Sequence, residues 1–120
     1  MKRRCIVETK KFSLTVDSFI KDRSLLAQDF EDFKVRLSTN PTEGDLVSGA
    51  GGIRKTRLKS AIKGKRGGFR ICYYLIDEQY DEVFLLLVYK KNEQEDLSVE
   101  EKKILRHIAT LIREEINEEK

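Results

Sequence analysis

Between Leu46 and Ile76 the chain carries no Asp or Glu, while Arg54, Lys55, Arg57, Lys59, Lys63, Lys65, Arg66 and Arg70 place eight cations within those 31 residues. Solvated surfaces ordinarily mix the two signs, so an acid-free cationic run asks for a reason. Clustered Arg and Lys neutralise phosphates, and Arg grips their oxygens through paired N–H donors. The same charges stabilise the dianionic phosphorane formed when an RNA 2′-hydroxyl attacks its own phosphodiester. That reaction also needs the 2′-oxygen deprotonated and the departing 5′-oxygen protonated. A lysine crowded by other cations gives up its proton more readily, so Lys55 or Lys91 is a candidate for one of those transfers. The bland alternative is that the cations decorate exposed strands and discourage edge pairing.

The net charge of +3 hides this segregation. Residues 1–92 carry 19 basic and 12 acidic side chains (+7), whereas residues 93–120 carry 5 and 9 (−4). A basic face with Tyr73, Tyr74 and Tyr89 interleaved suits a polyanion with stackable bases, preferably single-stranded RNA. The acidic tail, with Glu114, Glu115, Glu118 and Glu119, reads either as a solvated helix end or as a segment folded over the basic face as a nucleic-acid mimic.

The elements that must position these residues follow from hydrophobic spacing. Cys5-Ile6-Val7 is a short edge or starting strand. Apolar residues from Phe12 to Leu37 recur at spacings of three and four, which predicts helix, interrupted at Lys21-Asp22-Arg23-Ser24. Two helices result, the second capped by Asp22 or Ser24, and Asn40-Pro41 ends it. Gly44 to Gly52 reads as a loop. Ile53 to Ser60, Phe69 to Asp77 and Val83 to Lys91 read as strands, rich in branched and aromatic residues. The last is apolar on both faces, which suits a central strand. Ser98-Val99-Glu100-Glu101 is a capping box opening a helix to about Glu118, with Ile104, Leu105, Ile108, Leu111 and Ile112 as its apolar stripe. The expected fold is α+β in the order β-α-α-β-β-β-α: one domain over residues 1–120 with a small antiparallel or mixed sheet. Two helices precede it, one follows, and all are expected on one face of the sheet. Alternation along the first long strand puts Lys55, Arg57 and Lys59 on one side and Arg54, Thr56 and Leu58 on the other.

Other classes are excluded or disfavoured. The longest apolar run, Val83 to Tyr89, is far short of the ~20 residues of a membrane helix. The basic start, Met1 to Glu8, lacks the apolar stretch of a signal peptide, so a cytoplasmic protein without a membrane partner is expected. Cys5 and Cys72 have no CxxC spacing and read as free, buried thiols. A single histidine, His107, at the margin of the last helix's stripe, reads as a boundary residue; no metal site is expected.

Three stretches together resemble the HigB branch of the RelE-family toxins: Gly49-Ala50-Gly51-Gly52-Ile53-Arg54-Lys55-Thr56-Arg57, then Gly64-Lys65-Arg66-Gly67-Gly68-Phe69-Arg70-Ile71-Cys72-Tyr73-Tyr74, then Tyr89-Lys90-Lys91-Asn92-Glu93 with Asp96-Leu97-Ser98. The resemblance spans nearly the whole chain. It implies the toxin of a type II toxin–antitoxin module: an endoribonuclease needing no metal or other cofactor, which cuts messenger RNA in the ribosomal A site. It further implies a cognate antitoxin, expected to be a helix-turn-helix protein, and operator DNA as a partner of the toxin–antitoxin complex alone.

Carried over by position, the family's basic pair on the first long strand matches Lys55 and Arg57. Its Gly-aromatic-Arg matches Gly68-Phe69-Arg70, making Arg70 the phosphate-binding arginine, and its basic residue after the last strand matches Lys91. RelE proper places a catalytic tyrosine beyond that last position, but Asn92 to Ser98 contains none. Tyr89 is the expected substitute, with Glu93 a weaker proton-transfer candidate. Around these catalytic candidates, Arg54, Lys59, Lys65, Arg66 and Lys90 are expected to bind RNA. Two alternatives stay open: a non-catalytic inhibitor of DNA gyrase, like the related ParE toxins, and a plain RNA-binding module.

Overall fold

The computed structural model describes residues 2–59 and 68–118. The order of elements is β1 (Cys5–Glu8), α1 (Lys10–Lys21), α2 (Ala27–Thr39), β2 (Asp45–Leu46), β3 (Ile53–Leu58), β4 (Phe69–Tyr74), β5 (Glu82–Lys90) and α3 (Val99–Glu118). The strands form one sheet in the order β1-β5-β4-β3-β2. β1 runs parallel to β5, and the other pairs are antiparallel. β5 is therefore an interior strand, between β1 and β4, as its two apolar faces require. The sheet is mixed and the fold α+β, in agreement with the expected class.

The helices do not share a face. α1 and α2 press Phe12, Val16, Phe30, Phe33 and Leu37 against Leu58, Phe69, Ile71, Tyr73, Leu85 and Val88 on one side. α3 covers the other, where Leu105 and Ala109 meet Ile53, Cys72, Tyr74, Leu86 and Tyr89. The physical reason lies in β4, whose six residues are all buried. A strand with no wet side needs a layer over each face. Tyr73 and Tyr74 consequently fill the two cores and are not base-stacking surfaces.

Smaller differences have equally local causes. Within the 44–52 stretch, Asp45 and Leu46 pair with Lys55 and Arg54 to make a two-residue edge strand too short to leave an alternation signal. α2 begins after Leu26, which makes no side-chain cap; Asp22 instead accepts from the Ser24 backbone N–H at 2.8 Å, in the turn where Arg23 takes a φ of 64°. Cys5 is exposed, because it opens an edge strand, while Cys72 is buried. The capping box of α3 forms in both directions: Ser98 N–H donates to Glu101 Oε1 at 2.9 Å and Glu101 N–H to Ser98 Oγ at 3.0 Å. α3 buries Leu105 and Ala109, leaving Ile104 and Leu111 about half exposed, and His107 is exposed. No helix among the described residues is long and apolar enough to cross a membrane.

Candidate functional site

The register of the central strands decides which cations meet. Lys55 lies opposite Cys72, and Arg57 lies opposite Arg70, across β3 and β4. Arg70 in turn faces Tyr89 on β5. These residues share the α3 side of the sheet, beyond the end of the apolar cluster that α3 covers. Lys91 follows β5 directly, its N–H held by the Gly68 carbonyl at 3.1 Å. Lys55, Arg57, Lys59, Arg70 and Lys91 line a cleft of about 600 Å³, whose remaining walls are Arg36, Glu43, Asp45, Thr56 and Glu95; Tyr89 and Cys72 are buried behind that lining.

Of the residues singled out in the sequence, Lys55, Arg57, Lys59, Arg70 and Lys91 thus come together. Arg54 and Lys90 do not. The Arg54 guanidinium lies on the opposite side of β3 and donates to the Gly44 carbonyl at 2.7 Å, fixing the turn before β2. Lys90 sits over the Phe19 ring, 5.2 Å from its centroid, and 3.9 Å from Glu93. Strand alternation sends both to the α1 side. Lys63, Lys65 and Arg66 lie outside the described residues.

Of the acidic tail, Glu114 and Glu115 do not line the cleft, and Glu119 lies outside the described residues. α3 starts beside Lys55 and runs away from it, so that Arg113 donates to the Tyr74 hydroxyl at 3.0 Å and reaches the Gly51 carbonyl at 3.3 Å, next to the start of β3. The carboxylates near the cleft come from elsewhere. Glu43 accepts a bidentate pair from Arg36 (both 2.9 Å) and a 2.6 Å bond from Thr56 Oγ1. Arg36 also donates to the Arg57 carbonyl at 2.9 Å, tying α2 to the strand that carries the cations. Sequence reasoning missed Arg36, Glu43, Asp45 and Glu95. They lie outside the acid-free run: Arg36 reaches β3 from α2, the turn at Pro41 returns Glu43 and Asp45 to it, and Glu95 arrives from the segment after β5.

Two polar groups in the Arg70–Tyr89 row make no hydrogen bond. Arg70 is 8% exposed and Tyr89 7%, yet Arg70 NH1 and the Tyr89 hydroxyl are buried without a hydrogen-bond partner. Buried polar groups are normally satisfied, and an exception commonly marks a functional position. Burial pushes the Tyr89 hydroxyl up to about 12, with the charges of Cys72 and Asp96 adding to the rise and Arg70 opposing it. At neutral pH Tyr89 therefore holds its proton: it suits donation to a leaving oxygen and not removal of a proton from a nucleophile. Burial likewise raises the Cys72 thiol to about 12, which leaves it an inert core group. Among the described residues no group of three or more His, Cys, Asp or Glu is arranged to hold a metal ion. Six cations and three carboxylates line the cleft, an arrangement suited to a single phosphodiester strand.

A family model described as the RelE toxin of the RelE/RelB toxin–antitoxin system matches residues 6–120 of the chain. Among solved structures, the free E. coli toxin RelE, carrying two arginine-to-alanine substitutions, aligns with a TM-score of 0.50 at 20% sequence identity, over 78% of this chain and 88% of that one. That likeness concerns the fold.

Proposed function

The chain belongs to the RelE toxin family of the RelE/RelB toxin–antitoxin system, and from that premise we propose that it is a ribosome-dependent endoribonuclease of the HigB-like branch, cutting messenger RNA in the A site. The observation that carries this reading is the convergence of Lys55 and Arg57 from β3, Arg70 from β4 and Lys91 from just after β5 on one cleft. Arg57 and Arg70 would hold the non-bridging oxygens of the scissile phosphate and stabilise the charge that builds there. The 2′-oxygen gives its proton to the Lys91 side chain in its amine form and bonds to phosphorus, while Lys55 contributes as a cation at the phosphate. The phosphorus–5′-oxygen bond breaks, and the 5′-oxygen takes a proton from Tyr89. Products are a 2′,3′-cyclic phosphate and a 5′-hydroxyl. Atoms balance without a metal ion in this scheme. Lys59 extends the cationic wall along the RNA backbone. The buried ring of Tyr89 favours proton donation over base stacking.

An antitoxin partner comes with the family; that it is a helix-turn-helix protein, and that the pair together binds operator DNA, is part of the proposal. The test is expression of the toxin followed by mapping of messenger 5′ ends on translating ribosomes, with a gyrase cleavage assay in parallel. New 5′ ends and growth arrest are expected from the wild type, and neither from the Lys55→Ala/Arg70→Ala double variant. Full toxicity of that variant would discard the assignment. Gyrase-dependent DNA breaks without RNA ends would move it to a ParE-like inhibitor, and salt-sensitive RNA binding without toxicity to a plain binding module.

A further inference from the structure

Lys55 differs from the other cations of β3 and β4 in already having a carboxylate. Asp96 Oδ1 lies 3.3 Å from Lys55 Nζ. Among the described residues no ion pair is seen at Arg57, Lys59, Arg70 or Lys91, although all four line the same cleft. The carboxylate is delivered from a fixed point. The same Oδ1 accepts the Leu97 N–H at 2.7 Å; Leu97 is buried in the α3 core, and Ser98 is locked into the capping box. The Leu97 N–H and then Lys55 hold the Asp96 carboxyl below the usual carboxylate range, so it is charged at neutral pH. Exposure is asymmetric: the Lys55 side chain is 28% exposed and that of Asp96 69%. The carboxylate can therefore leave the ammonium for water without any rearrangement of the core.

We propose that Asp96 stands in for an RNA phosphate on Lys55: a built-in carboxylate that positions the ammonium at the cleft wall and yields it to the incoming strand. The inference rests on the RNA-cleaving reading of the cleft and deepens it. Asp96 is a positioning residue here, acting through Lys55. A tight buried ion pair would resist exchange, whereas an exposed pair is worth at most about fivefold in an equilibrium constant. The pair is thus strong enough to order the lysine and weak enough for a phosphodiester anchored by Arg57 and Arg70 to displace it. It also sets a threshold: a lone anion meets a competitor at Lys55, while an RNA strand held at several points overcomes it.

The experiment is a double-mutant cycle between Asp96 and Lys55. Asp96→Asn keeps the acceptor for the Leu97 N–H and removes the charge. Binding is measured at low salt by anisotropy for a labelled 2′-O-methyl RNA, which cannot be cut, and by calorimetry for inorganic pyrophosphate. Asp96→Asn is expected to tighten both by about two- to fivefold. The gain should disappear in a Lys55→Met background and should exceed that of Glu95→Gln, which removes a cleft carboxylate of the same sign. An equal gain with and without Lys55, or weaker binding by Asp96→Asn, would overturn the stand-in role. Should the cycle hold for pyrophosphate while no growth arrest or RNA cleavage occurs, the contact stands and the nuclease reading falls.

Discussion

Arg57 and Arg70 stand directly opposite one another on β3 and β4, two cations in one cross-strand pair, and Tyr89 continues the row onto β5. Like charges so placed work against the sheet. Their juxtaposition costs stability where a Thr or Val would serve the strand better, and it is explicable if a phosphate is to sit between them.

Arg57→Thr should therefore stabilise the fold by about 0.2–1 kcal/mol while lowering messenger cleavage by at least about tenfold, since one charge-stabilising donor is lost. Urea unfolding and 5′-end mapping measure the two effects. Opposite signs are expected; a variant that loses stability and keeps cleavage would make the pair structural.

Tyr89→Phe separates chemistry from packing in the same row. The hydroxyl is buried and unpartnered, so its removal should leave stability unchanged or raise it by about 1 kcal/mol. Cleavage should fall by about a hundredfold or more if the hydroxyl donates the leaving-group proton. RNA binding should stay within about twofold of wild type, because no phosphate contact is removed.

Gly44 and Tyr73 form the support beneath the cleft. The Tyr73 hydroxyl donates to the Pro41 carbonyl at 2.7 Å and accepts the Gly44 N–H at 2.9 Å. A Cβ on Gly44 would lie 2.8 Å from that hydroxyl and 2.9 Å from the Lys55 carbonyl. Gly44→Ala should cost about 1–3 kcal/mol, and Tyr73→Phe a similar amount through the unsatisfied Gly44 N–H and Pro41 carbonyl. Thermal unfolding reports both. A neutral Gly44→Ala would show that the turn gives way freely.

Alkaline pH should weaken the fold from within. Burial raises Cys72 from 9.0 to about 12, and Tyr73 and Tyr89 each from 10.0 to about 12. All three hold their protons more tightly folded than unfolded, so their contribution is complete below about pH 9 and is lost as pH rises toward about 12. Denaturant midpoints should be level from neutrality to about pH 9 and fall above it. In Tyr89→Phe that fall should be shallower; an identical slope would remove Tyr89 from the account.

Much of this architecture is legible along the chain. The spacing of Phe12 to Leu37, the capping box at Ser98 and the doubly apolar Val83 to Tyr89 run each reflect local rules, helix period, cap chemistry and pleat. Alternation likewise separates Lys55, Arg57 and Lys59 from Arg54 without any structure, because a strand's two faces are set by its backbone. The placement of α3 across the sheet from α1 and α2 is less visible. Its signal is indirect: β4 and β5 have no polar side, and both layers are needed to dry them.

What only the tertiary structure decides is who faces whom. Register across three strands brings Arg57, Arg70 and Tyr89 into one row, and no local rule sets the register between segments separated by long connections. The turn at Pro41 carries Glu43 back to Arg36 and Thr56. The direction of α3 carries Glu114 and Glu115 away from the cleft, and the segment before it delivers Asp96 to Lys55. The cations and their charge come from composition. Their convergence, their unfilled hydrogen bonds and the carboxylate on Lys55 come from packing, because burial and long-range pairing are settled only when the whole sheet is closed between its two layers.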